Sequence, residues 1–223
     1  ENTTLIVMSD HGFASWQWSF ELNAWLLENG YLKLKPGASP KGADIYQAVD
    51  WARSSAYGIG FNGLYINLQG REGQGSVPQA EYRELLDEIA AKLLAYEHCE
   101  PVREPETGEE KEICQRPVLE VHKAHETYRG DQTGHAPDLI VGYKRGYRGG
   151  DDSALGDIAE SVIKINRSSW SGDHCIAVSE VPGVIVTNRK IKKPDPALID
   201  IGPSALKLFG LPVPADMDGK PLF

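Results

Sequence analysis

The 223-residue chain carries 23 Lys and Arg against 32 Asp and Glu, a formal net charge of −9. That balance excludes a non-specific nucleic-acid binder, which needs basic surface to displace counterions, and no polymer of that kind is an expected partner. No run of 18 apolar residues occurs, so no membrane-spanning helix is expected.

The first stretch with chemistry in it is Leu5-Ile6-Val7-Met8-Ser9-Asp10-His11-Gly12. The short apolar run reads as a buried parallel strand, and the crevice at the carboxyl end of such a strand is where open α/β sheets bind ligands. Asp10 and His11 stand there. A carboxylate beside an imidazole suits zinc or a similar divalent ion. The alternative is that Asp10 caps the next element and His11 is an ordinary loop histidine. The chain opens almost inside this strand without an initiator Met, so a piece cut from a longer protein is expected.

Ser19 to Gly30 reads as a helix capped by Ser19 and closed by Gly30, with Trp16, Trp18 and Phe20 as packing aromatics. Tyr31 to Leu34 is expected as an edge strand, and Lys35 to Gly42 as a loop. Asp50 to Tyr57 and Gly63 to Leu68 bracket a glycine-rich bend, which leads into a strand and so lacks the helix N-terminus of a phosphate loop. Pro78 to Tyr96 carries a clean apolar stripe of helical period, followed by an acidic loop from Glu97 to Lys111.

His122 and His125 are spaced i, i+3, but no apolar stripe supports a helix there, and neither they nor His135 is expected to hold a metal. Ala136 to Tyr143 reads as a core strand, and Lys144, Arg145 and Arg148 as a solvated basic cluster. Ala154 to Ile165 is expected as a short helix, and Ser169 to Cys175 as a tight glycine turn that presents His174. Gly183 to Thr187 is a further strand, and Asp200 to Pro212 a helix with Pro203 in its first turn and Gly210 at its end. The cysteines, Cys99, Cys114 and Cys175, lack metal-ligand spacing; a Cys99–Cys114 disulfide is open, and the low count favours a reducing compartment, the cytoplasm.

Three separated blocks, Ser9-Asp10-His11-Gly12-Phe13, Gly172-Asp173-His174 and the Asp200-to-Pro212 helix with Met217-Asp218-Gly219-Lys220-Pro221-Leu222, resemble the alkaline phosphatase superfamily in family order. Within it the chain looks most like the type I phosphodiesterase/nucleotide pyrophosphatase branch. Trp25-Leu26-Leu27-Glu28-Asn29-Gly30-Tyr31-Leu32 and Ile66-Asn67-Leu68-Gln69-Gly70-Arg71-Glu72 are similar to stretches of predicted microbial phosphohydrolases of that branch.

The resemblance implies an α/β fold, alkaline phosphatase-like, with a mostly parallel central sheet flanked by helices. Residues 1–223 would be its C-terminal part, with a cap-like insertion at about residues 35–150, and the N-terminal half of the same protein would be a partner. It also implies two divalent ions, zinc or alternatively manganese. Asp10 and His11 map onto ligands of one ion and His174 onto a ligand of the other. The remaining ligands, among them an Asp-x-x-x-His, and a Thr or Ser nucleophile are expected upstream, and the piece alone is expected to be inactive. The implied activity is hydrolysis of phosphodiester or nucleotide pyrophosphate bonds in a small phosphate-ester substrate. A phosphomonoesterase, sulfatase or phosphomutase, and a non-catalytic module that keeps the fold, are the alternatives.

Overall fold

The structure is a computed structural model, and it describes residues 3–105 and 107–223. It holds two compact units: Phe13–Val181, and a smaller one made of the residues up to Gly12 together with Pro182–Phe223. The smaller unit contributes the first strand, β1 (Ile6–Met8).

In the larger unit β2 (Ala14–Phe20) reads Ala-Ser-Trp-Gln-Trp-Ser-Phe, with apolar residues at every second position. Alternation of this kind places one set of side chains on one face of a strand. Ala14, Trp16 and Phe20 are buried, and Ser15 and Gln17 are exposed. The helix expected from Ser19 therefore starts later, as α1 (Leu22–Glu28), with Glu21 at the N-cap position and Ser19 still inside the strand. Gly30 does close the helix with a left-handed φ of 80°. The edge strand expected at Tyr31–Leu34 is reduced to a single bridge between Leu34 and Val49.

β3 (Ala56–Gly58) and β4 (Gly63–Ile66) make an antiparallel hairpin around the glycine bend. α2 (Tyr82–Ala95) turns Leu86, Ile89, Ala90 and Leu93 into the core, as its stripe requires. The acidic loop expected next is an exposed hairpin, β5 (His98–Arg103) with β6 (Glu110–Gln115), in which Cys99 lies opposite Cys114 and is disulfide-bonded to it. β7 (Val118–Lys123) and β8 (Leu139–Tyr143) complete a sheet of order β3-β4-β8-β7, antiparallel throughout.

β9 (Gly146–Gly149) runs parallel to β2, and α3 (Asp151–Leu155) follows it. The helix expected at Ala154–Ile165 ends at Leu155, because Gly156 takes a left-handed φ of 87°. Its second half holds β10 (Ile163–Ile165), which pairs antiparallel with β2. The two-residue strand β11 (Gly172–Asp173) also lies antiparallel on β2, with Gly172 opposite Ser15 and Asp173 opposite Ala14.

The smaller unit is completed by β12 (Ile185–Thr187), antiparallel to β1, and by α4 (Ile201–Leu208), which has Pro203 in its first turn and Gly210 beyond its end. β1 is not the buried parallel strand expected. Leu5 and Val7 are more than half exposed, and so are Val186 on the partner strand and Val184 just before it. An apolar run shows that a strand suits a covered site but carries no information on which element pairs with it or in which direction.

The central sheet is likewise corrected: among the described ladders between named strands, only β2–β9 is parallel. Neighbours such as β3 and β4, or β5 and β6, are joined by short loops, and a parallel pairing needs a crossover of a dozen or more residues. What holds is a mixed α/β architecture of several small sheets with helices against them. No helix among the described residues is long and apolar enough to cross a membrane.

Candidate functional site

In the smaller unit the chain leaves β1 through Ser9, whose N–H donates to Val184 O. Asp10 and His11 follow. The N–H of His11 donates to Asp10 Oδ1 at 3.1 Å, and His11 Nδ1 lies 2.8 Å from Gly12 O. That second contact places a proton on Nδ1, since a carbonyl oxygen only accepts, and leaves Nε2 as the ring nitrogen that faces the carboxylate. His11 Nε2 stands 3.3 Å from Asp10 Oδ2. Two ligand atoms at zinc-bond length from one tetrahedral ion are also about 3.3 Å apart. The spacing of the pair equals that separation.

In the larger unit His174 follows β11 with its imidazole partly exposed, 5.9 Å from the ring of Phe13. The residue before it is the more constrained. Asp173 Oδ1 accepts the backbone N–H groups of His174 at 2.6 Å and of Cys175 at 2.9 Å, and Oδ2 accepts Arg148 Nη1 at 2.8 Å. Burial pushes the Asp173 carboxyl up, but the Arg148 guanidinium and the two N–H groups outweigh it and hold it below the usual carboxylate range.

Arg148, on β9, is only 5% exposed. Its Nε donates to Gly149 O, its Nη2 to Asp151, and its guanidinium lies 3.7 Å from the centroid of the Trp16 ring and 4.8 Å from that of Phe61. Asp173, His174 and Cys175 do bring three ligand-type atoms together. Yet the Asp173 oxygens are already engaged, and a fixed guanidinium against one of them opposes a cation held there. Burial also pushes the Cys175 thiol up to about 11, which keeps it a neutral thiol. Of the three, the imidazole is the group suited to a metal.

The family model for type I phosphodiesterase / nucleotide pyrophosphatase matches residues 1–160. The chain belongs to this family. No curated protein and no solved structure matches it. The matched span of this phosphodiesterase-family chain includes Asp10 and His11 and ends before His174.

His122, His125 and His135 of this family member lie outside the Asp173–His174–Cys175 grouping. His122 ends β7, with Nε2 3.2 Å from Glu120 Oε1, and His125 sits in the short helix after it, 3.6 Å from Glu126. The i, i+3 spacing thus straddles two elements. One Asp-x-x-x-His does occur in the chain, Asp131 to His135; both of its ends are exposed, and neither joins a ligand grouping among the described residues.

The basic cluster divides. Lys144 and Arg145 are exposed, Arg145 pairing with Glu180, while Arg148 is buried. Sequence reasoning missed Arg148 because a lone arginine after a strand is usually solvated. The available signal was its setting between Gly146 and the Gly149-Gly150 pair, where the chain keeps room for close packing. The disulfide that the sequence left open is formed, between Cys99 and Cys114.

Proposed function

We propose that this chain carries part of the machinery of a metal-dependent hydrolase of phosphodiester or nucleotide pyrophosphate bonds. Family membership supports a phosphoester hydrolase. The observation that carries the metal-dependent reading is the 3.3 Å spacing of Asp10 Oδ2 and His11 Nε2, with the ring held through Nδ1 by the Gly12 carbonyl. In this reading Asp10 and His11 hold one divalent ion and His174 contributes to a second, with zinc or manganese as the metal.

Bound ions of this kind neutralise phosphoryl oxygens and lower the pKa of an attacking oxygen. The chain's own residues supply orientation. The Gly12 carbonyl keeps the His11 ring from rotating, and the bond from the His11 N–H keeps the Asp10 carboxylate turned toward that ring. No residue of this chain is assigned as nucleophile; the superfamily resemblance implies an upstream Thr or Ser. The local positive charge of bound ions also reconciles an anionic substrate with a net charge of −9.

The test is hydrolysis of an aryl phosphodiester by the longest natural chain containing these residues, with added zinc or manganese. Asp10→Ala, His11→Ala and His174→Ala should each abolish turnover while thermal unfolding stays near that of the parent. Full turnover by the Asp10→Ala protein would sink the metal assignment.

A further inference from the structure

Resting on the reading of His174 as a metal ligand, we infer that Asp173 and Arg148 are positioning residues for it, built to fix the backbone from which the imidazole projects. The carboxylate of Asp173 does not cap a helix or join two sheets. Its Oδ1 takes the N–H groups of the two residues that follow it, which pins the main chain of His174 and Cys175 to the carboxylate itself. Its other oxygen is anchored by Arg148.

That anchor cannot swing. Each of its three nitrogens has an acceptor, in Asp173, Asp151 and the Gly149 carbonyl, and the rings of Trp16 and Phe61 lie against its plane. β11 pairs Asp173 with Ala14 and β9 pairs Arg148 with Ser19, so both partners are held on β2. A buried ion pair adds little net stability once desolvation is counted. Its value here is geometric: a rigid, satisfied base beneath an exposed imidazole, acting through the main chain of His174, with the ring Nδ1 3.8 Å from Asp173 Oδ1.

The experiment compares Asp173→Asn, Arg148→Lys and His174→Ala in the longest natural chain containing these residues. Zinc is titrated against a chromophoric chelator, and amide hydrogen exchange is followed at His174, Cys175 and the core strand β8. His174→Ala defines which zinc sites depend on that imidazole. Asp173→Asn is expected to weaken those sites by about tenfold or more and to speed exchange at His174 and Cys175, with β8 exchange and Tm close to the parent's. Arg148→Lys should act in the same direction, and it decides the matter if the Asn variant fails to fold.

If His174→Ala weakens zinc binding while folded Asp173→Asn and Arg148→Lys proteins bind like the parent, the positioning role is wrong and the metal reading stands. If exchange rises equally at β8 and at His174, the pair is merely structural and the inference is overturned. If His174→Ala leaves zinc binding unchanged, the assignment of His174 itself falls, and the positioning role with it.

Discussion

Gly149 packs directly against the carbonyl of Phe61: a methyl group on its Cα would overlap Phe61 O and stand 3.2 Å from the ring of Tyr143. The obstacle is main chain and a fully buried ring, neither of which can step aside cheaply. Gly149→Ala should therefore destabilise the larger unit by about 3 kcal/mol or more. Thermal unfolding followed by circular dichroism measures it. Since Gly149 adjoins Arg148, exchange at His174 should rise in the same variant.

Glu21 is 1% exposed, in contact with the N-terminal turn of α3 through the Ser153 N–H and hydroxyl. Burial raises its pKa above the ordinary glutamate value, the nearby Asp152 adds to that, and Ser153 and Lys164 oppose it. A carboxyl with a raised folded pKa is penalised in its ionised form, so the cost is absent at low pH and grows as pH rises through the folded value. Glu21→Gln should accordingly gain on the parent as pH rises from about 4.3 toward neutrality. Paired Tm measurements across that range test the sign; a gap that narrows with rising pH would refute it.

Asp200 shows the opposite shift. Lys193 Nζ lies 2.8 Å from its carboxylate, which also accepts the N–H groups of Lys220 and Ala197, and Lys193 is the largest of the influences that hold its pKa at about 2. Its contribution is full above the unfolded value near 3.9 and is lost as pH falls toward 2. At neutral pH Asp200→Asn should cost on the order of 2 kcal/mol. The loss is expected in amide exchange of α4 in the smaller unit, and the difference between variant and parent should shrink on acidification.

The Cys99–Cys114 bond closes a hairpin whose strands are largely exposed. Reduction should loosen that hairpin and leave the sheet β3-β4-β8-β7 intact. Limited proteolysis with and without reductant checks this: new cleavage is expected between residues 98 and 115, with the rest of the pattern unchanged.

What the sequence disclosed depended on how far each signal reached. The α2 stripe, the α4 helix with its proline and glycine, and the β8 strand rest on local periodicity and emerged where expected. β2 was hidden because Trp16, Trp18 and Phe20 repeat every second residue immediately before a true helix, and the two periods run together at Ser19. The partner of β1 lies more than 170 residues away in the chain, and no local pattern encodes a pairing that distant. At the candidate site His11 and His174 stand out in the sequence by their motifs. Arg148 does not, because its buried setting depends on Asp173, 25 residues downstream.

The ribbon of β1 and β12 has a practical consequence in the test tube. Val7 and Val186 face one another in register, and both are more than half exposed, with Leu5 and Val184 two residues along on the same side. A run of aliphatic side chains open to water is the kind of surface that slows recovery from inclusion bodies and draws hydrophobic dyes. Val7→Thr with Val186→Lys should raise the yield of soluble material and dim 8-anilinonaphthalene sulfonate fluorescence. Neither change removes a backbone hydrogen bond, so the circular dichroism spectrum should stay as it was.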